Sequence, residues 1–223
     1  MIVDERIITF INSLDTKNSE ILEDIEREAL ADNVPIIRRE MQSFLKVLLM
    51  VKKPMRVLEV GTAVGFSALL MSEYVPEECA ITTIENYEKR IPIARQNFVR
   101  AGKEKKITLL EGDAMDVLKT LEGPYDFIFM DAAKGQYIHY LPEILRLLAK
   151  GGILVSDNVM QDGDVIESRF AVERRDRTIH ARMREYLYEL KHNDALVTSI
   201  IPLGDGVAPV SYTHLTLPTK LEV

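Results

Sequence analysis

From residue 55 onward, short apolar runs alternate with longer stretches whose apolar residues recur at helical spacing. The apolar runs predict five strands, at 56–60, 80–85, 107–111, 127–131 and 153–157. The stretches between them predict four helices, at 67–74, 89–101, 114–121 and 140–149. Strands that are apolar on both faces and separated by helices are typical of a parallel sheet covered on both sides. Right-handed crossovers then produce a doubly wound α/β fold.

Two helical stretches precede this alternating region. Residues 18–30 and 40–51 carry apolar positions at helical spacing. An interruption around residues 33–35, which include a proline, separates the two stretches. We therefore predict a helical N-terminal segment over residues 1–53.

A further helix and strand are predicted after the alternating region. Residues 177–190 are amphipathic at helical spacing, and residues 196–203 have a strand-like pattern. The chain has 223 residues, of which 47% are hydrophobic and 28% charged, so it can bury one full core. We predict a single domain over residues 1–208, with its core at 54–208.

Composition and charge exclude several classes of protein. Cys79 is the single cysteine, which rules out an intrachain disulfide and agrees with a reducing compartment. The N-terminus has no secretory pattern, and no apolar run is long enough to cross a bilayer. We therefore expect a cytoplasmic protein with no membrane partner. The net charge of −7 argues against broad, nonspecific binding of nucleic acid.

A glycine-containing loop follows the first predicted strand of the core. The residues Glu59-Val60-Gly61-Thr62-Ala63-Val64-Gly65 lead from that strand into a helix, where glycines allow a backbone to approach a nucleotide-like ligand closely. The spacing departs from G-x-G-x-x-G because Ala63 replaces the middle glycine. No basic residue follows to hold a pyrophosphate. This pattern favours a ligand without phosphates over a dinucleotide, and so disfavours a nicotinamide-dependent dehydrogenase.

Acidic residues end the next two strands. Glu85 ends the second strand, 26 residues after Glu59, where its carboxylate can accept hydrogen bonds from two ribose hydroxyls. Asp113 and Ala114 follow the third strand and can meet an adenine ring. The alternative is that these acids merely cap the ends of their elements, although three acids in register at strand ends make coincidence a poor explanation.

Oxygen-bearing side chains also follow the fourth and fifth strands. Asp131 closes the fourth strand, and Asp157 and Asn158 close the fifth, so the three side chains should converge at the carboxyl edge of the sheet. Two carboxylates and an amide oxygen suit a hard cation such as Mg²⁺. Lys134 lies close enough to act as a base if burial and the cation lower its pKa. The alternatives are an Asp-Asn turn and a surface lysine.

The motifs Glu59-Val60-Gly61-Thr62, Met130-Asp131-Ala132-Ala133-Lys134 and Ser156-Asp157-Asn158-Val159 resemble those of the cation-dependent O-methyltransferases of the catechol and caffeoyl-CoA type. The resemblance covers roughly residues 35–208 and implies a Rossmann-like class I methyltransferase sheet and a homodimer. It implies S-adenosylmethionine contacts from Glu59, Gly61, Ser67, Glu85, Asp113, Ala114 and Asp131. It also implies that Asp131, Asp157 and Asn158 bind Mg²⁺ or another divalent cation, and that Lys134 and Asp131 are catalytic.

A basic segment at residues 169–184 contains six arginines against two acidic residues, Glu173 and Asp176. It resembles the corresponding segment of the bacterial tRNA 5-hydroxyuridine methyltransferases, a subfamily of the same enzymes. This resemblance implies tRNA as a partner, with the wobble 5-hydroxyuridine of the anticodon loop converted to 5-methoxyuridine. The candidate phosphate contacts are Arg174, Arg175, Arg177 and Arg184, of which the first, third and fourth share a predicted helix face.

Two alternatives follow if this segment has no role in RNA methylation. The segment can be a solvated helix face in an enzyme that methylates a small catechol-like or acyl-CoA-linked phenol. Activity that survives neutralisation of Arg174, Arg175 and Arg177 would identify that enzyme. A noncatalytic RNA-binding protein that kept the fold is disfavoured by the intact set of candidate ligands.

The resemblance stops after Gly204-Asp205-Gly206-Val207-Ala208. Pro209 removes a hydrogen-bond donor from the place where the family has a final antiparallel strand, so we expect this strand to be weakened. We interpret residues 209–223 as a non-native tail and do not assign His214 as a ligand.

Overall fold

The computed structural model describes residues 2–213. Three helices come first: α1 (Glu5–Ser13), α2 (Glu20–Ala31) and α3 (Arg39–Lys52). The core then alternates β1 (Arg56–Val60), α4 (Phe66–Glu73), β2 (Ala80–Glu85), α5 (Ile91–Arg100), β3 (Ile107–Glu111), α6 (Ala114–Thr120), β4 (Tyr125–Met130), α7 (Tyr137–Leu147) and β5 (Leu148–Ser156). The last elements are α8 (Arg177–His192), β6 (Leu196–Thr198) and β7 (Ala208–Tyr212).

Seven strands form one sheet in the order β3-β2-β1-β4-β5-β7-β6. The first five strands run parallel, and β7 pairs antiparallel with both β5 and β6. This confirms the doubly wound α/β fold. The order reverses between β1 and β4, and a ligand crevice is expected at the carboxyl ends of these strands.

Alternating side chains of the central strands fill two separate cores. Val57 and Phe127 point into a core that includes residues of α2 to α5, whereas Leu58 and Ile128 point into one that includes residues of α6 to α8. All four side chains are fully buried. A strand presents successive residues to opposite faces, so a strand covered on both sides has to be apolar throughout. This requirement is why the central strands were visible in the sequence as continuous apolar runs.

Several predicted boundaries differ from the structure. β4 begins at Tyr125 rather than 127, and β5 begins at Leu148, within the stretch predicted as helix 140–149. The helix itself, α7, starts earlier, at Tyr137. The predicted strand 196–203 is shorter, because β6 ends at Thr198 and only an isolated bridge between Ile201 and Val207 follows.

Helix α1 was not predicted as a separate element. None of its residues is buried, and Phe10 and Leu14 at its C-terminal end are 64% and 68% exposed. Within residues 2–213, no helix is both long enough and apolar enough to span a lipid bilayer. The cytoplasmic location and the homodimer stay predictions.

The last strand forms in spite of Pro209, and its expected weakening stays a prediction. Residues 208–212 form β7, in which Pro209 lies opposite Val155 of β5. The Pro209 carbonyl accepts a hydrogen bond from the Ser199 N–H at 3.1 Å. Because the N–H and C=O of one strand residue point to the same side, the missing donor faces Ser199, just beyond the end of β6. The sheet therefore extends past the predicted boundary at 208, whereas residues 214–223 of the proposed tail lie outside the described residues.

Candidate active site

A cavity of about 730 Å³ opens at the carboxyl ends of the parallel strands, where the strand order reverses. Most of the predicted site residues line it, namely Gly61, Ser67, Glu85, Ala114, Asp131, Lys134, Asp157 and Asn158. Glu59, Asp113 and the four candidate arginines do not line it. The parallel sheet therefore brings the predicted cofactor and metal residues to one crevice, as the strand-end rule requires.

The glycine loop after β1 packs directly against the loop after β4. Gly61 has a φ of 104°, and a Cβ atom at this position would overlap the carbonyl oxygen of Asp131. Gly65 has a φ of 85° and begins α4 as its N-cap residue. Side chains other than hydrogen are strained at such φ values. Gly61 is thus required both for the shape of this loop and for its contact with the strand that carries Asp131.

Backbone N–H groups orient the carboxylate of Glu85. One carboxylate oxygen accepts a hydrogen bond from Ala63 N at 2.7 Å, and the other accepts from Asn86 N at 3.1 Å and Tyr87 N at 2.8 Å. The side chain is nearly buried and lines the cavity. Carboxylate oxygens have further lone pairs, so this group can still accept hydrogen bonds from a ligand. Its placement agrees with the predicted ribose contact.

Glu59 is fully buried beneath the glycine loop. The Thr83 hydroxyl donates to one of its carboxylate oxygens, and the other oxygen, Oε1, has no hydrogen-bond partner in residues 2–213. Burial raises the pKa of Glu59 to about 7, which the nearby hydroxyls of Ser67 and Thr83 only partly offset. A buried oxygen without a partner is costly. Glu59 does not line the cavity, so its contact with the cofactor stays a prediction.

The side chain of Asp113 caps a helix. Its carboxylate accepts a hydrogen bond from Met115 N at 2.9 Å at the start of α6, and the residue is exposed. The structure therefore agrees with the alternative interpretation, in which Asp113 caps the end of an element. Its contact with the cofactor stays a prediction, while the adjacent Ala114 lines the cavity.

The predicted metal residues converge from two neighbouring strands. Met130 pairs with Ser156 in the sheet, so Asp131 and Asp157 follow β4 and β5 at the same level. Asp157 is 5% exposed, and its pKa is raised to about 7 by burial and by the charge of Asp131. Two carboxylates at the same level of the sheet, of which Asp157 has a raised pKa, form an environment that a cation stabilises.

The donor set fits a hard divalent cation. Within residues 2–213, no cluster of three or more His, Cys, Asp or Glu side chains is placed to hold a metal. The set of Asp131, Asp157 and Asn158 has only two carboxylates, and the third oxygen comes from an amide. Such a set suits Mg²⁺, which usually takes one or two carboxylates and completes its shell with water or substrate oxygens. Cation binding at this position stays a prediction.

Lys134 forms an ion pair with Asp131. Its Nζ atom lies 2.6 Å from Asp131 Oδ1 and 3.2 Å from the Tyr137 hydroxyl. Burial alone would lower the pKa of Lys134, but the neighbouring Tyr137 and Asp131 outweigh it, so the pKa is raised. In this arrangement Lys134 therefore lacks the lowered pKa that a base requires. The role of Lys134 as a base stays a prediction and requires this ion pair to be broken.

Tyr137 was not identified from the sequence. It is fully buried at the start of α7, and its hydroxyl lies 3.0 Å from the carbonyl oxygen of Met130 and 3.2 Å from that of Asp157. The hydroxyl also accepts a hydrogen bond from Ala132 N at 3.2 Å. Tyr137 thus joins the ends of β4 and β5 to Lys134. No local signal marks it, because a tyrosine at the start of an amphipathic helix resembles any core residue.

The structure corrects the predicted arginine face. Helix α8 begins at Arg177, so Arg174 lies in the preceding loop rather than on the helix. Arg175 forms ion pairs with Glu173 at 3.0 Å and Asp176 at 3.3 Å.

The two helical candidates make contacts within the protein. Arg177 donates to the carbonyl oxygen of Val172 at 3.2 Å, and Arg184 donates to that of Val165 at 2.8 Å. These two arginines therefore stabilise the loop before α8. Phosphate binding by all four candidate arginines stays a prediction.

The seven-stranded sheet, with its antiparallel last pair and its acidic strand ends, has the fold of a class I S-adenosylmethionine-dependent methyltransferase. The SAH-bound methyltransferase of Podospora anserina superposes on it with a TM-score of 0.85 at 26% identity, covering 94% of each chain. SAH is the product that remains after S-adenosylmethionine gives up its methyl group. This similarity supports S-adenosylmethionine as the cofactor.

A sequence model of the O-methyltransferase family matches residues 12–211, so the chain belongs to that family. It is 33% identical over 181 residues to caffeoyl-CoA O-methyltransferase 2 of Populus trichocarpa, covering 74% of this chain and 69% of the relative. It is 35% identical over 128 residues to a catechol O-methyltransferase of Niastella koreensis. That second match covers 56% of this chain and 58% of the relative.

Proposed function

We propose that this protein transfers the methyl group of S-adenosylmethionine to the 5-hydroxyl of 5-hydroxyuridine at the wobble position of tRNA, giving 5-methoxyuridine in a Mg²⁺-dependent reaction. The observation that carries the proposal is the position of the basic segment. It follows the Asp157-Asn158 pair in the chain, and the start of α8 contacts the turn that carries Lys134, where Arg182 donates to the Gly135 carbonyl at 3.1 Å. The segment therefore lies close to the cavity through Arg182, whose partner Gly135 is next to the cavity residue Lys134.

The acceptor resembles those named for the relatives. Catechol has two neighbouring oxygens on a planar ring, and 5-hydroxyuracil likewise has its 5-hydroxyl next to the 4-carbonyl oxygen. A cavity built for one such pair of oxygens suits the other. A base in the anticodon loop is unpaired and can leave its stack to enter a pocket at the edge of a sheet.

Each group of residues has a separate role in this scheme. Glu85 and the glycine loop hold the cofactor, and Asp131, Asp157 and Asn158 would hold Mg²⁺. The bound ion would supply positive charge that lowers the pKa of the acceptor hydroxyl. Tyr137 positions the strand ends and Lys134. Aligning the acceptor oxygen with the methyl group is the main contribution of the protein.

Methylation of a small catechol-like or acyl-CoA-linked phenol is the second candidate. The names of the relatives from Niastella koreensis and Populus trichocarpa favour it. The contacts of Arg177 and Arg184 with loop carbonyls also give these two arginines a structural role that needs no RNA.

The test measures methyl transfer from labelled S-adenosylmethionine to tRNA that carries 5-hydroxyuridine and, in parallel, to catechol, each with Mg²⁺ and with EDTA. We expect label in the tRNA only, lost in EDTA. A tRNA without 5-hydroxyuridine is the matched substrate control and should stay unlabelled. Labelling of catechol alone would overturn the tRNA proposal while leaving the cofactor and metal assignments in place. Labelling that EDTA leaves unchanged would overturn the metal assignment.

A further inference from the structure

The loop before α8 displays a large aromatic side chain to solvent. Phe170 is 86% exposed, more than any other large apolar side chain in the described part of the chain, and Ile166 in the same loop is 68% exposed. We call residues 166–176 the aromatic loop. Single exposed apolar residues are common on proteins, so exposure of Phe170 alone would carry no conclusion.

Contacts with α8 anchor both ends of the aromatic loop. Val165 and Val172 are buried, and their carbonyl oxygens accept the hydrogen bonds from Arg184 and Arg177. His180 is also buried, and its Nε2 atom lies 3.1 Å from the Glu167 carbonyl oxygen. The loop is therefore tied to the helix on either side of Phe170, which makes this ring a positioned surface rather than the end of a loose segment.

Two arginines accompany the exposed ring. The side chains of Arg169 and Arg174 are exposed, and neither forms an ion pair or a hydrogen bond with any of residues 2–213. Arg175, by contrast, is engaged by Glu173 and Asp176. An exposed aromatic ring in the same loop as two unpaired guanidinium groups has the chemistry that binds single-stranded nucleic acid, because bases stack on the ring and phosphates pair with the cations.

The aromatic loop belongs to a segment that is connected to cavity residues at both ends. Asn158 lines the cavity, and the chain continues from it into this loop. At the other end of the loop, Ile179 and Arg182 of α8 approach Gly135, next to Lys134. Both ends of the loop are therefore connected to residues that line the cavity or lie next to it, which keeps the loop close to the place where a base would enter.

We infer that Phe170 is a stacking surface for a base that flanks the methylated nucleotide, with Arg169 and Arg174 binding the adjacent phosphates. This inference rests on the proposed function, since it requires an RNA acceptor. The aromatic loop then contributes to the affinity for RNA, and methyl transfer takes place in the cavity.

The experiment compares wild type, Phe170→Ala and Phe170→Tyr. Binding of a fluorescent anticodon stem-loop that carries 5-hydroxyuridine is measured by anisotropy, and methyl transfer to the same RNA gives kcat and KM. We expect Phe170→Ala to raise Kd and KM by roughly 10-fold, with kcat unchanged, and Phe170→Tyr to restore both. Arg169→Ala and Arg174→Ala should each make binding less dependent on salt. Tyr188→Ala, which removes a 60% exposed aromatic near the other end of α8, is the matched control and should bind like wild type.

The outcomes separate this inference from the proposed function. If wild type methylates the RNA and Phe170→Ala has the same Kd and KM, the inference is overturned and the proposed function stands. If only catechol is methylated, the proposed function is rejected and the inference is rejected with it, whatever Phe170→Ala does to RNA binding. If wild type does not bind the RNA, or if Phe170→Ala changes only the oligomeric state, the inference is overturned.

Discussion

The two halves of the cavity hold their acidic residues in different ways. In the cofactor half, at the ends of β1 and β2, three backbone N–H groups satisfy the carboxylate of Glu85. In the acceptor half, at the ends of β4 and β5, Asp131 pairs with Lys134, while Asp157 is buried beside Asp131 and accepts one backbone hydrogen bond, from Asn158 N at 2.7 Å. Backbone N–H groups thus hold Glu85 in the cofactor half, whereas a charged side chain holds Asp131 in the acceptor half.

This difference indicates what each half requires from its ligand. Backbone donors are held by the fold itself, so the cofactor half is shaped before a ligand binds. In the acceptor half the ammonium group of Lys134 is bonded to Asp131 rather than to Asp157, and burial makes the ionised form of Asp157 costly. We therefore expect changes in the acceptor half to affect the rate of methyl transfer, and changes in the cofactor half to affect the affinity for S-adenosylmethionine.

Gly61→Ala should have the largest effect, because Gly61 lies where the two halves meet. The added methyl group would overlap the carbonyl oxygen of Asp131, at a φ that alanine adopts only with strain. We expect the free energy of unfolding to fall by about 2–4 kcal/mol and both cofactor binding and turnover to be lost. Thermal unfolding and calorimetric titration with S-adenosylmethionine test this. Gly102→Ala is the matched control, since Gly102 has a φ of 63° but open space around it, and should cost about 1 kcal/mol without affecting binding.

Asp157→Asn tests the acceptor half. We expect methyl transfer to fall at least about 100-fold and Mg²⁺ binding to weaken, with the KM for S-adenosylmethionine unchanged. The pKa of Asp157 is raised to about 7, above its value in an unfolded chain, so ionisation of this group destabilises the fold as the pH rises. The asparagine variant should therefore have an equal or higher Tm in EDTA at pH 8. A lower Tm together with retained turnover would contradict the assignment.

Glu85→Gln tests the cofactor half. Weaker hydrogen bonds to the ribose should raise the KM for S-adenosylmethionine roughly 10-fold to 100-fold, while kcat changes by less than about 2-fold. Glu111→Gln is the matched control, because Glu111 pairs with Glu85 in the register of β2 and β3 but is exposed and bonded to Arg95. Steady-state kinetics measure both constants. A fall in kcat at unchanged KM would contradict the expectation that the cofactor half controls affinity and the acceptor half controls rate.

Tyr137→Phe should have the smallest effect on turnover. Loss of the hydroxyl leaves polar groups at the ends of β4 and β5 without a partner, which should cost about 1–3 kcal/mol of stability and lower kcat by no more than about 10-fold. Tyr186→Phe is the matched control, since Tyr186 is equally buried and its hydroxyl contacts Ser156 instead. We expect a similar loss of Tm there with kcat retained. Equal kcat values in the two variants would show that Tyr137 is only structural.

Much of the fold and of the site is local in origin and was visible in the sequence. The bounds of β1, β2 and β3 agree with the predicted strands, because a short apolar run is set by residues adjacent in the chain. Parallel strands end at one edge, so Glu85, Asp131 and Asp157 were expected to converge there. All three line the cavity.

Contacts between distant segments decided the rest. Asp113 and Glu85 both follow strands, yet one caps a helix while the other receives three backbone donors and lines the cavity. Pro209 is tolerated because its missing donor faces the chain beyond the end of β6, a register that no local pattern shows.

The sequence by itself determined the order of strands and helices, the glycine loop and the set of acids at the strand ends. Only the tertiary structure decided which acids are buried, that Asp131 raises the pKa of both Asp157 and Lys134, and that Arg177 and Arg184 are bonded to their own loop. The physical reason is that the two sets of properties depend on residues at different separations along the chain. Backbone geometry and periodicity depend on neighbours in the chain, whereas desolvation, charge pairing and hydrogen-bond partners depend on residues that the fold brings together.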